Sequence, residues 1–192
     1  MQFNSLLIPF FIVIIFVAIF HINSSRGREP LQNLSARFNG RIAKFSLCPV
    51  FYGEYCGLKF CIKLIPANKS LPDYLEIFLI KKSSLKLKIY RENSLSKLAE
   101  KFMLIREVKV NDQRFDEDFM ILSNDSTKAA NHFRNENMKD VVRKLFDDGF
   151  DCIVANGRSI MARKPDYILK KDINADSITT VLQKIISFSS GI

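Results

Sequence analysis

Apolar and polar positions follow three different patterns along the chain, and each predicts a different kind of element. The first has no period. From Leu6 to Phe20 the chain reads LLIPFFIVIIFVAIF without a charge. From Phe3 to Ile22 it reaches the roughly twenty residues, or about 30 Å of helix, that a bilayer core requires. Pro9 stands near the first turn, where its missing donor costs little. Residues 1–5 contain neither Lys nor Arg and no small-x-small cleavage site follows, so the segment reads as a retained anchor rather than a cleaved signal peptide. The expectation is a transmembrane helix over 1–22, a short polar connector over 23–33 and one domain over 34–192.

The domain opens on a period of two. Arg41 to Leu47 is strand-like, and a turn-prone stretch around Pro49 and Gly53 follows. Leu58, Phe60, Ile62 and Leu64 then alternate with Lys59, Cys61 and Lys63, as expected of a sheet with one face packed. Pro66 to Pro72 breaks that strand, Tyr74 to Ile80 resumes it, and Leu85, Leu87 and Ile89 alternate with Lys86 and Lys88. The last two strands read as an antiparallel hairpin turning over Lys81 to Ser84. Its lysines either keep the outer face wet and guard an edge or face a lipid or acidic partner.

Leu95 to Phe102 fits a short helix and Ile105 to Val110 a strand, and FDEDFMILSND (Phe115 to Asp125) reads as an acidic turn entering strand Phe119 to Leu122. Beyond it the period becomes helical. Asp125 or Ser126 can cap a helix carrying Ala129, Ala130 and Phe133. Asn137 can cap the next, with Met138, Val141, Val142 and Leu145 in one stripe and Gly149 as its stop. Asn156-Gly157 between two apolar runs signals a hairpin. A last helix with Ile178, Val181, Leu182 and Ile185 follows a cap at Asn174 or Asp176. The fold class is α+β: a transmembrane helix, then one domain with helices on a mostly antiparallel sheet.

Charge changes this picture modestly. The 192 residues carry a net +9; 26–63 and 69–109 are basic, whereas 112–151 holds more acids than bases. Arg26, Arg28, Arg37 and Arg41 follow the apolar segment and nothing basic precedes it, so the positive-inside rule places the domain on the cytoplasmic side of the inner membrane. The partners this implies are the bilayer, through residues 3–22, and an anionic lipid or a protein for the basic surface. No zinc-finger, recognition-helix or RNA-binding signature accompanies the charge, which argues against nucleic acid. Cys48, Cys56, Cys61 and Cys152 fit reduced thiols; in the alternative, an exported envelope domain, Cys48 and Cys56 are the candidate disulfide pair.

Candidate chemistry is sparse. Asp112, Asp116, Glu117 and Asp118 form the most suggestive carboxylate cluster, and its spacing is not that of a calcium loop. It reads as a solvated turn, with a hydrolytic or metal site over 112–118 as the enzyme alternative. His21 and His132 lack a visible partner, and Cys152 alternates with Phe150 and Val154 as a core residue would. No phosphate-cradling glycine motif occurs and no cofactor is expected.

The block VKVNDQRFDEDFMILSND (Val108 to Asp125) resembles a recurring element of uncharacterised bacterial single-pass membrane-anchored proteins. Asn39-Gly40-Arg41, Gly53-Glu54-Tyr55-Cys56-Gly57 and Tyr90-Arg91-Glu92 fit the same layout, although Asn111 stands where Gly is expected. The resemblance implies an envelope protein and supplies no catalytic residue. The leading functional expectation is a membrane-anchored noncatalytic binding or scaffolding domain, with the carboxylate enzyme and the exported structural protein as alternatives.

Overall fold

Alternation of side chains along each strand decides which side of the sheet receives the helices. The computed structural model describes residues 27–44, 46–69, 71–91 and 106–191. In chain order its elements are α1 (Arg28–Asn33), α2 (Ser35–Phe38), β1 (Arg41–Ile42), β2 (Val50–Tyr55), β3 (Leu58–Ile65), β4 (Tyr74–Leu79), β5 (Leu87–Arg91) and β6 (Arg106–Glu107). They continue with α3 (Gln113–Asp118), β7 (Phe119–Ser123), α4 (Ser126–His132), α5 (Glu136–Asp147), β8 (Cys152–Ala155), β9 (Ile160–Pro165), α6 (Leu169–Asp172) and α7 (Ala175–Ser189). The strands form one sheet in the order β1-β2-β3-β4-β9-β8-β5-β7-β6, and every pairing is antiparallel.

One face of this sheet carries the core. Phe60, Ile62 and Leu64 of β3 stand opposite Leu79, Ile77 and Leu75 of β4, and the layer continues through Ala162, Ile153, Ile89 and Ile121. Against it pack Ile178, Leu182 and Ile185 of α7 and Val142, Leu145 and Phe146 of α5, all in one contiguous cluster. Phe38 of α2 meets Phe60 edge-on at 5.2 Å, and Phe133 links Phe115 (5.6 Å) to Phe188 (6.3 Å) across the helices. Two helix boundaries follow from identifiable devices. Asn174 accepts the Ser177 N–H at the start of α7. Gly149, at φ +92°, ends α5, with its own N–H on Phe146 O and the Phe150 N–H on Leu145 O.

Several expectations are corrected. No helix among the described residues is long and apolar enough to cross a membrane, which overturns the spanning helix in the expected architecture; residues 3–22, where it was placed, lie outside the described residues. The inner-membrane location and the cytoplasmic orientation are corrected with it, since no described helix supplies the span they require; the bilayer contact expected through residues 3–22 lies outside the described residues. The connector expected over 23–33 contains α1, whose Leu31 is wholly buried in the core. The helix expected over Leu95 to Phe102 lies outside the described residues.

Other differences are local. The Pro49–Gly53 stretch is largely strand, and the reversal comes at Cys56-Gly57, both at positive φ as a two-residue hairpin loop requires. Strand β1 stops at Ile42. The acidic turn before β7 is helix α3, and Asn135 rather than Asn137 caps α5. Strands β4 and β5 form no hairpin: the β8–β9 hairpin at Asn156-Gly157 sits between them.

Candidate binding face

All the helix-packed positions described above lie on one side of the sheet. The buried residues Val50, Cys61, Met120, Leu122 and Cys152 belong to the other side and stay outside the core cluster. On that side, helix-free among the described residues, cross-strand register lines up two rows. The first runs Arg41–Tyr52–Cys61–Phe78–Met161–Val154–Lys88–Leu122–Glu107, one residue from each strand. Between its charged ends six of seven positions are apolar. At about 4.8 Å per strand, Tyr52 to Leu122 spans about 29 Å.

The second row, two residues along, runs Val50–Lys63–Glu76–Arg163–Cys152–Tyr90–Met120. Arg163 holds Asp151 through two bonds of 3.0 and 3.2 Å. The two rows touch where the Lys63 ammonium lies 4.7 Å over the Phe78 ring; on the far side of the second row the Arg163 guanidinium lies 4.7 Å over Tyr74. Tyr52 is 50% exposed and Ile80, at the corner beside it, 49%. There a cleft of about 550 Å³ opens, lined by Arg41, Tyr52, Glu54, Lys59 and Ile80 among others.

Ionisation on this face is displaced mainly by burial. Burial raises the Glu76 carboxyl, against the pull of Lys63 and Arg163. It raises Cys61, pushes Cys152 up to about 11 and Tyr90 up to about 12, the last two also facing each other across β5 and β8. Cys152 is thus a thiol packed against Tyr90 and not an activated nucleophile. Cys48, Cys56, Cys61 and Cys152 are all free, so the Cys48–Cys56 pair considered for an exported domain is not formed.

Three of the four carboxylates singled out in the sequence go to separate partners, and the fourth, Asp118, lines a cleft. Asp112 caps α3 by accepting the Phe115 N–H at 3.1 Å, and its other oxygen takes a bond from Lys139 Nζ at 2.7 Å. The bond from Lys139, then that from Phe115, holds its carboxyl below the usual range. Lys139 is 5% exposed, and its bonds to Asp112 and to Glu136 raise its own value. Asp116 accepts the Val110 N–H and Glu117 the Gln113 amide. Glu117 and Asp118 line a second cleft of about 550 Å³ with Arg91, Arg114, Arg143 and Asp147, where acids and arginines balance. Among the described residues no group of three His, Cys, Asp or Glu is arranged to hold a metal ion.

The fold itself has a counterpart. The chain shares its architecture with a mycobacterial transport factor. Over 85% of its length it superimposes on mycobacterial trehalose monomycolate transport factor A, covering 94% of that chain with a TM-score of 0.52 and 10% sequence identity. At that identity the likeness concerns the fold alone. No family model matches the sequence, and no curated protein matches it.

His132, which had no visible partner in the sequence, is 7% exposed in α4, edge-on to Phe133 (5.0 Å) and Phe188 (5.1 Å). Its Nε2 is buried without a hydrogen bond. Burial lowers its pKa, partly opposed by a bond with the Gly191 backbone. Because the folded value lies below the unfolded one, the stability from neutral His132 is complete above about pH 6.5 and is lost as pH falls through the folded value. The urea midpoint should therefore drop between about pH 7.5 and about pH 5, and His132→Gln should lessen that drop; an identical drop in the variant would contradict this assignment.

Sequence reasoning identified the alternation that creates the helix-free face but not the rows. Their members come from strands far apart in sequence, and only the strand order brings them into line.

Proposed function

We propose that this chain is a noncatalytic binding domain whose helix-free sheet face holds the apolar part of a lipid-like ligand in a transport-associated role. The observation that carries this reading is the apolar row from Tyr52 through Phe78 and Met161 to Leu122, on a sheet face that no described helix covers. Sheets bury apolar faces against a second layer, and a row on which no described helix packs, exposed at Tyr52 (50%) although Cys61 and Leu122 within it are buried, is a surface for a partner. Support also comes from the shared fold with a protein named for transport of a lipid, trehalose monomycolate. The basic first half enters through Lys88 within the row and Lys63 beside it; Lys63, with Arg163 from the far end of the chain, stands beside Glu76 and Asp151, so the charges do not form a uniform cationic patch.

The test is binding of the neutral apolar dye Nile red to the full chain, followed by fluorescence, in wild type and in Phe78→Asp. Saturable binding that the substitution removes is expected. Binding indifferent to Phe78 would overturn the assignment of this face.

A further inference from the structure

The charged row beside the apolar one has an unusual division of labour. Arg163 and Asp151 satisfy each other through two bonds. Lys63 and Glu76 are register partners on β3 and β4, yet neither has a hydrogen-bond partner among the described residues. Glu76 is half-buried, and the Lys63 ammonium rests over Phe78 of the apolar row. An acceptor and a donor with unused hydrogen-bonding capacity therefore lie side by side, next to the Cys61–Phe78 part of the apolar row.

We infer that this face selects a single-chain amphiphile with an uncharged, hydroxyl-rich head: the chain lies along Phe78, Met161 and Val154, and the head sits on Lys63 and Glu76. The inference rests on the binding face proposed above and names its ligand class. A hydroxyl donates and accepts at once, so one sugar-like head can donate a hydrogen bond to Glu76 and accept one from Lys63. A phosphate head has oxygens that suit Lys63 but sets its charge against the Glu76 carboxylate. A quaternary ammonium attracts Glu76 electrostatically but has no donor for it and no acceptor for Lys63. Half-buried charges gain most from partners that satisfy both without adding a third charge.

The experiment is displacement of Nile red from the full chain by three amphiphiles with the same twelve-carbon tail, each below its micelle concentration: dodecyl maltoside, dodecyl phosphate and dodecyltrimethylammonium. Dodecyl maltoside should displace the dye at concentrations about tenfold lower than either charged compound, a ratio worth about 1.4 kcal/mol. Glu76→Ala and Lys63→Met should each cut that preference several-fold while still binding the dye, and Glu76→Gln, which keeps an acceptor, should retain most of it. Equal or better displacement by a charged head, or a preference untouched by both Glu76→Ala and Lys63→Met, overturns the head assignment. Dye binding that Phe78→Asp abolishes would leave the face itself standing in that case; dye binding unaffected by Phe78→Asp removes the face and the head together.

Discussion

Phe60→Ala is expected to destabilise the fold by about 3–5 kcal/mol, the cost of emptying a closely packed aromatic site that its surroundings cannot refill. Phe60 is 1% exposed on β3, with the rings of Phe38 at 5.2 Å and Phe51 at 6.0 Å. Gly53 opposite it has no room for a side chain: a Cβ there would come within 2.8 Å of the Phe60 ring. The ring thus fills space that β2 leaves open, and α2 closes it from the helix side. Urea denaturation should show a lower midpoint with an unchanged slope. A loss below about 1 kcal/mol would mean that the site collapses around alanine and that the α2–β3 contact is not part of the cooperative core.

Phe78→Asp should do the reverse, leaving stability nearly unchanged while lowering apolar-ligand affinity at least about tenfold, or about 1.4 kcal/mol. Phe78 is half-buried and lies on the side of the sheet away from the core cluster, so its removal opens no internal cavity. A carboxylate between Cys61 and Met161 would, however, have to be desolvated under any apolar chain laid along the row. Lys63, now over the ring, would instead meet a charge. A Nile red titration beside a thermal melt separates the two effects: a melting temperature within a few degrees of wild type together with lost binding is the expected pair.

The parts of the fold legible in the sequence were those set by local chemistry. Alternation in β3, β4 and β5 named the buried side, and Asn156-Gly157, Asn174 and Gly149 marked a hairpin, a helix start and a helix end. Strand neighbours were not legible, because a period of two fixes faces and leaves pairing open. The β4–β5 hairpin looked local, but β8 and β9 enter between those strands from some sixty to eighty residues downstream. The same limit hid the candidate site. Lys63 and Glu76 are register partners thirteen residues apart, yet Arg163 completes the row from the far end of the chain. The burial of Lys139 on α5 was not legible either, because Asp112, which makes it tolerable, precedes it by 27 residues.

The most direct test of the binding face uses the methionines as reporters. Met161 and Met120 lie on the helix-free face, and Met138 packs into the helix layer on α5. With ¹³C-methyl methionine in the full chain, adding dodecyl maltoside below its micelle concentration should shift the Met161 methyl resonance, and Met120 to a lesser degree, while Met138 stays in place. A shift confined to Met138, or none at Met161 under conditions where the ligand is bound, would contradict the account and move the search to the helix side of the sheet.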